Sequence, residues 1–180
     1  LFDAMLASKS AITFSVDEWE ESFARVTTPN RRIQLAIPEL FDELDGLASE
    51  PERVDTDFPL ILSAGERRSF TANTIIRNPE WRKKDRAGAL RMHPDDAKRA
   101  GVADGGRVRL STRRGSAEVS VEISDRMHPG HISLPNGLGL DFPDASGGHV
   151  ATGVSPNELT RSEDRDWVAG TPWHKHTPAR

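Results

Sequence analysis

The sequence predicts a mainly β fold: an all-β barrel with short helices over residues 58–180, preceded by a small helical segment. Two observations predict the barrel. Apolar residues alternate with period two on both sides of a turn at Arg114 to Ser116, which indicates a hairpin with one buried face. The other elements are short strands, tight turns and one helix of about two turns. This succession favours a barrel over a doubly wound α/β sheet.

Residues 1–57 predict helices followed by a linker. Helical spacing behind an acidic first turn indicates a short helix from Val16 to Val26, and a second helix is expected from about Pro38, since Pro is well tolerated at the first helical position. The stretch SEPERVDTD, Ser49 to Asp57, is polar and acidic and contains a Pro. It predicts a linker with the domain boundary near Asp57.

The main domain is expected to open with a buried strand, Pro59 to Ser63. The stretch NPEWRKKDRAGAL lacks a clear period, which predicts an excursion on the surface. In HPDDAKRAG, Pro94 stands near the start of a predicted helix and Gly101 at its C-terminal stop. The hairpin follows, and then a short strand from Ile132 to Leu134.

The last part of the chain is rich in Gly, Pro, Asn and Ser from Asn136 onward and predicts a long loop. Long loops inside compact domains are often functional. The tail DWVAGTPWHKHTPAR contains two Trp residues, which suggests that it is tied to the rest of the domain. His174 and His176 lack a carboxylate or Cys partner at metal-ligand spacing, so no metal site is expected.

Charge and composition narrow the classes of function. The chain contains no cysteine, which excludes disulfides, thiolate nucleophiles and Cys-ligated iron–sulfur clusters from these residues. Residues 1–57 carry 13 of the 28 acidic and 5 of the 24 basic residues, a formal charge of −8, which leaves +4 for residues 58–180. An anion would therefore bind the second part. No apolar stretch approaches the ~20 residues of a membrane helix, so no membrane contact is expected.

The first candidate site follows the predicted strand, in LSAGERRSFTANTIIRNP. A strand that ends in Gly, two Arg and several hydroxyl and amide side chains can present backbone N–H groups and guanidinium groups to an anion. A solvated loop with surface arginines accounts for Arg67 and Arg68 equally well. The basic runs RVRLSTRR and WRKKDR have little aromatic interleaving and favour a solvated surface over a nucleic-acid site.

The order of the pieces is more informative than any one of them. FPLILSAGERRSFTANTIIRNP, then HPDDAKRAGVADGGRVRLSTRRGSAEVSVEISDRMHPGHISLPNGLG, then GVSPNELT, resembles the C-terminal molybdopterin-dinucleotide-binding domain of the dimethyl sulfoxide reductase superfamily. The resemblance covers about residues 58–176. Residues 1–57 then look like the helical end of a preceding domain plus a linker, and residues 58–180 like the cofactor-binding barrel.

The resemblance implies a double-psi β-barrel. Its middle motif, a helix of the DA-x-x-x-G type, a D-G-x-x-V strand entry and a P-G-x-x-x-x-P turn, is shared with aspartate-decarboxylase-like proteins and with substrate-recognition domains of AAA ATPases. A barrel that serves as a protein-interaction or substrate-recognition module is therefore the alternative. The Ser-x-Gly strand end and the N-x-L-T near the end of the chain favour the cofactor-binding family.

The resemblance also implies a set of residues that bind molybdopterin guanine dinucleotide. Many relatives have Arg directly after the strand-end Gly, whereas Glu66 intervenes here, so the register of the contacts is open by one or two residues. No catalytic residue and no metal ligand are expected in this chain. The implied cofactor-binding residues are Ser63, Ala64, Gly65, Glu66, Arg67, Arg68, Asn73, Thr74, Asn157, Thr160 and Lys175.

The implied parent protein is a molybdenum- or tungsten-dependent oxidoreductase in which the cofactor does the chemistry and the protein binds and orients it. In this family the metal's protein ligand comes from another domain, so the 180 residues are expected to be inactive alone. Upstream domains of the same polypeptide are the implied partners, and electron-transfer subunits are a second class of partner. NT-x-x-R-N-P and PWHK are similar to formate-dehydrogenase-like members, which makes formate the expected substrate. A cytoplasmic location is expected.

Overall fold

The computed structural model describes residues 1–49, 55–66, 76–82, 85–166 and 168–180. The chain forms two compact units, Leu1–Glu50 and Pro51–Arg180.

The first unit contains three helices, α1 (Phe2–Ala7), α2 (Trp19–Ala24) and α3 (Pro38–Leu47), and none of them buries a residue. The predicted helices within residues 16–26 and from Pro38 are confirmed as α2 and α3, whereas α1 was not predicted. Trp19 and Phe23 are one helical turn apart and pack edge to face, with ring centroids 5.0 Å apart.

The second unit is mainly β. Its described part contains eight strands and one α-helix, which in chain order are β1 (Leu60–Glu66), β2 (Leu90–Met92), α4 (Pro94–Ala100), β3 (Arg107–Ser111), β4 (Ser116–Ile123), β5 (His131–Pro135), β6 (Asp141–Pro143), β7 (His149–Ala151) and β8 (Thr177–Ala179). Two short 3-10 helices, Pro79–Trp81 and Pro156–Glu158, interrupt the loops.

Six of these strands form one sheet in the order β3-β4-β2-β5-β1-β8. The pairs β1–β5 and β2–β4 are parallel, and the remaining neighbours are antiparallel. The outer strands β3 and β8 also meet, because Ser111 and Arg180 exchange two backbone hydrogen bonds of 2.8 and 2.9 Å. Thr112 and Ala179 form a further bridge. The sheet therefore curls until its edges touch, and the predicted mainly β, barrel-like fold is confirmed.

The core lies inside the curled sheet and consists mainly of strand residues, together with Ala97 of α4 and with Val154 and Leu159 of the loop that follows β7. Leu62, Ile132, Leu134 and Leu159 have no exposed surface. In the hairpin β3–β4, the inward positions are apolar and the outward ones polar or charged, as the period-two pattern predicted. Each fully buried aliphatic side chain stabilises the fold by about 1.5–3 kcal/mol.

Helix α4 is the predicted helix in HPDDAKRAG. The His93 ring accepts a hydrogen bond of 3.1 Å from the Asp95 N–H at its start, and Gly101 ends it in the left-handed conformation. The Asp96 carboxylate is buried and accepts a hydrogen bond of 2.7 Å from the Gly130 N–H. This bond attaches the helix to the Pro-Gly turn that precedes β5.

Four features differ from the expectations from the sequence. The stretch expected to be a surface excursion ends in β2, whose Leu90 is buried. The expected long loop contains the hairpin β6–β7, and the tail contains β8. Each of these strands has three residues, which is too short for a period to show. In addition, β1 extends past Ser63 to Glu66.

Among the residues described, no helix is long and apolar enough to cross a membrane.

Candidate functional site

The ends of two parallel strands, β1 and β5, meet at one edge of the sheet. Ser63 pairs with Ser133, and the register then shifts between Ala64 and Glu66. Just beyond, the Asn136 N–H donates a 2.9 Å hydrogen bond to the Glu66 carbonyl oxygen. The carboxyl edge of parallel strands is a common place for ligands, because loops diverge there and leave backbone groups accessible.

Gly65 lies at this edge in the left-handed region, with φ of 87°. A Cβ built on it would meet no atom within 4 Å, so there is open space beside its backbone among the described residues. Only Gly adopts this conformation without strain. The residue thus combines the two properties that close approach of a ligand to the backbone requires.

The tail of the chain returns to the same edge. The Ala64 N–H donates a 2.7 Å hydrogen bond to the His174 carbonyl oxygen. The tail is also held to itself, since the Trp173 N–H donates to the Asp164 carbonyl oxygen at 2.8 Å. Lys175 follows immediately and is exposed. The structure therefore brings Lys175 to the strand end that contains Ser63, Ala64 and Gly65.

The Glu66 side chain is bound to the sheet. Its Oε1 accepts a hydrogen bond of 3.0 Å from Arg91 Nη1, and its Oε2 accepts one of 2.5 Å from the Ser133 hydroxyl. Arg91 Nε also donates a hydrogen bond of 2.8 Å to Glu122 Oε1. Burial opposes the charge of Arg91, but the hydrogen bond to Glu122 and the charges of Glu122 and Glu66 outweigh it, so the pKa of Arg91 is raised.

Asn157 and Thr160 lie around the 3-10 helix that precedes the tail. The carbonyl oxygen of Leu159 accepts a 2.8 Å hydrogen bond from the Thr112 hydroxyl, which holds the segment against the β3–β4 turn. Thr160 is buried, and its N–H donates a hydrogen bond of 3.1 Å to the Pro156 carbonyl oxygen. Asn157 is exposed. The contact from Thr112 runs to the β3–β4 turn, whereas the tail around His174 is held at the end of β1.

Four of the expected cofactor-binding residues lie outside the described part of the chain: Arg67, Arg68, Asn73 and Thr74.

Sequence reasoning missed Arg82, whose side chain is 2% exposed. Its guanidinium donates to the carbonyl oxygens of Ile76 at 2.8 Å, Arg77 at 3.0 Å and Arg86 at 2.6 Å, and to the Thr152 hydroxyl at 2.6 Å. Burial lowers the pKa of Arg82, and the charge of Asp85 opposes this shift. In the run WRKKDR no sequence signal separates this arginine from the other basic residues.

Comparison with known proteins identifies the class of domain. Residues 60–178 match the family described as the Molydopterin dinucleotide binding domain. The match covers more than half of the chain, which therefore belongs to this family.

The curated relatives are long oxidoreductases. The chain is 28% identical over 129 residues to dimethyl sulfoxide reductase DmsA of Escherichia coli, covering 72% of this chain and 15% of that protein. It is 27% identical over 90 residues to the F420-dependent formate dehydrogenase 1 subunit alpha of Methanococcus maripaludis, covering 49% and 13%. It is 32% identical over 92 residues to the periplasmic nitrate reductase of Desulfovibrio desulfuricans, covering 50% and 12%. The chain thus spans about one seventh of their length.

Among solved structures, the acetylene hydratase of Pelobacter acetylenicus matches with a TM-score of 0.52 and 20% identity, over 69% of this chain and 18% of that one. This likeness supports the fold. Together the matches confirm the predicted class, a molybdopterin dinucleotide binding domain of the kind found in molybdenum-dependent oxidoreductases. They do not favour the alternative, a barrel for protein interaction.

Proposed function

We propose that this chain binds molybdopterin guanine dinucleotide at the carboxyl edge of β1 and β5, as the C-terminal domain of a formate-dehydrogenase-like oxidoreductase that uses molybdenum or tungsten. The observation that carries the proposal is the hydrogen bond between the Ala64 N–H and the His174 carbonyl oxygen. Lys175 directly follows His174 in the chain and Gly65 directly follows Ala64, which supports a site that combines the lysine with the open backbone at Gly65. Pyrophosphate binds such a combination of accessible backbone and positive charge.

The residues present fit the cofactor. Gly65 leaves space beside the backbone, and Lys175 is an exposed residue with an ammonium group. Asn136 directly follows β5, and its N–H donates a hydrogen bond to the carbonyl oxygen of Glu66, the residue after Gly65. When bound, the cofactor supplies the redox chemistry through a metal held by its dithiolenes. The part of this chain is to bind and orient the dinucleotide, with the excess of basic residues in 58–180 favouring a polyanion.

The finer assignment of contacts belongs to the same proposal. Backbone groups from Ser63 to Glu66 would face the pterin and pyrophosphate, and Arg67, Arg68, Asn73 and Thr74, which directly follow in sequence, would continue that surface. Asn157 and Thr160 would supply a second set of contacts. We further propose that the barrel has the double-psi connection of aspartate-decarboxylase-like proteins, which the closed six-stranded sheet with two parallel pairs supports.

The remaining proposals concern the whole protein. Residues 1–57 would end a preceding domain, and upstream domains of the same polypeptide would supply the metal's protein ligand, so that the 180 residues alone have no turnover. Formate as substrate, electron-transfer subunits as partners and a cytoplasmic location are parts of this proposal. If the boundary near residue 57 is right, residues 58–180 expressed alone keep the amide spectrum that they have in the 180-residue chain.

A titration of the ¹⁵N-labelled 180-residue chain with guanosine diphosphate tests the site, with adenosine diphosphate as control. We expect saturable, guanine-preferring shifts of the backbone amides at Ser63 to Glu66, Asn136 and Lys175. The variant Lys175→Ala should weaken binding, and Lys98→Ala, which removes an exposed lysine from α4, should not. Equal responses to both nucleotides, or shifts spread over the other face of the barrel, would contradict the proposed site.

A further inference from the structure

A row of polar side chains crosses the outer face of the sheet and ends at the candidate site. Arg91 on β2 is the register partner of both Glu122 on β4 and Ser133 on β5, and Glu66 on β1 completes the row. The residues that flank these positions are buried in the core, namely Leu90, Met92, Ile132 and Leu134. Because strand side chains alternate between faces, the polar row lies on the outer face of the sheet, although its member Ser133 is itself buried.

The position of Glu66 within this row is unfavourable for an anion site. Its carboxylate follows directly after Gly65, the residue with open space beside its backbone. A bare carboxylate there would repel a diphosphate. Instead, Arg91 and the Ser133 hydroxyl each bind one carboxylate oxygen. The Glu66 and Arg91 side chains are only about one third exposed, at 34% and 30%, which limits screening of their interaction by solvent.

We infer that Arg91 is a positioning residue for dinucleotide binding: its positive charge offsets part of the negative charge of Glu66 and holds the carboxylate on the sheet, so that the edge of β1 accepts a polyanion. This inference rests on the proposed function. Arg91 acts through Glu66 and needs no contact with the ligand. Glu122, which accepts a hydrogen bond from Arg91 Nε, keeps the guanidinium aligned along the row.

The test measures the affinity of the 180-residue chain for guanosine diphosphate in a set of charge variants. Arg91→Gln removes from Glu66 the positive charge of Arg91. If the Glu66 charge is about 10 Å from the diphosphate, we expect roughly three- to eightfold weaker binding at low ionic strength and about twofold at 0.15 M salt. The double variant Arg91→Gln/Glu66→Gln removes the negative charge as well and should recover most of the lost affinity.

Three controls separate positioning from a general effect. Arg107 forms an exposed ion pair with Glu118 on the β3–β4 hairpin. Arg107→Gln removes one positive charge there and should leave the affinity close to that of the original chain. Arg91→Lys keeps the charge and should bind nearly normally. Guanosine, which lacks phosphates, should bind all variants alike, a result that damage to the fold would not produce.

The outcomes distinguish this inference from the proposed function. Suppose that the original chain binds guanosine diphosphate. If the Arg91→Gln variant then binds it with the same affinity, or if adding Glu66→Gln to Arg91→Gln fails to restore the affinity, the inference is wrong and the proposed site stands. Loss of guanosine binding together with diphosphate binding would likewise overturn it, because the effect would then not depend on charge. If the original chain shows no binding at all, the proposed site fails and the inference fails with it.

Discussion

The buried Arg82 guanidinium should be one of the strongest single stabilising side chains of the second unit. It joins residues 76–77 and Arg86 to Thr152, which directly follows β7. Replacement by Met keeps most of the side-chain volume and removes all four hydrogen bonds. Hydrogen bonds from charged donors are each worth about 1.5–3 kcal/mol, but Ile76, Arg77 and Arg86 are partly or fully exposed, so water can replace some of the lost bonds.

From these terms we expect Arg82→Met to lower the free energy of unfolding by about 2–4 kcal/mol. Thr152→Val removes one acceptor and leaves one N–H of the guanidinium without it, at a cost of about 1–2 kcal/mol. Thr152→Ser keeps the hydroxyl and should cost less than about 1 kcal/mol. Since Arg82 and Thr152 share a bond, the double variant should be less destabilised than the sum of the two single variants, by about 1 kcal/mol.

Urea unfolding followed through the amide signals of Ile132 to Leu134 measures these values within the second unit, without signal from the helices of the first. Hydrogen exchange of residues 149–153 reports whether the anchoring of β7 is lost as well. A cost below about 1 kcal/mol for Arg82→Met, or strict additivity of the two substitutions, would refute the view that this guanidinium joins the two segments.

Three further predictions concern the frame around the site. Gly139→Ala should lower the free energy of unfolding by about 3 kcal/mol or more, because a Cβ there would overlap the Ser155 backbone and φ is 79°. Gly147→Ala, at a residue with φ of 82° and open space around it, should lower it by only about 1–2 kcal/mol. Equal losses in urea unfolding would show that the close approach to Ser155 is not the cause. Asp96→Ala removes the carboxylate that accepts the 2.7 Å hydrogen bond from the Gly130 N–H, and should lower the free energy of unfolding by about 2–3 kcal/mol. Asp95→Ala, on the exposed side of the same helix turn, should lower it by less than about 1 kcal/mol. The reverse order would contradict the role of the buried carboxylate. The pKa of Asp166 is lowered below its usual 3.8, first by the hydrogen bond from the Ala169 N–H and also by that from Thr171, so its stabilisation of the 166–171 turn is complete above the usual pKa and is lost as the pH falls through the lowered value. Amide exchange of Ala169 against pH should show that loss below 3.8 and not above it, and Asp166→Asn should abolish the dependence.

Much of the framework could be predicted from the sequence because it depends on local chemistry. The hairpin β3–β4 has a period of two over enough residues to show which face is buried. Helix α4 begins at a Pro and ends at a Gly, both of which act through their own backbone geometry. The motif order that indicated the family is likewise a property of the chain alone, and the family match over residues 60–178 confirmed it.

The site depended on partners that are distant in sequence. The tail around His174 lies beside the end of β1 because β8 pairs with β1, and a three-residue strand has no periodic signature. The engagement of Glu66 by Arg91 and Ser133, and the burial of Arg82 against Thr152, require neighbours 25, 67 and 70 residues away. The sequence by itself thus determined the hairpin β3–β4, the helices α2 to α4 and the class of domain. Only the tertiary structure decided which charges are neutralised and which remain open to a ligand, because burial and pairing of a charge arise when distant strands come together.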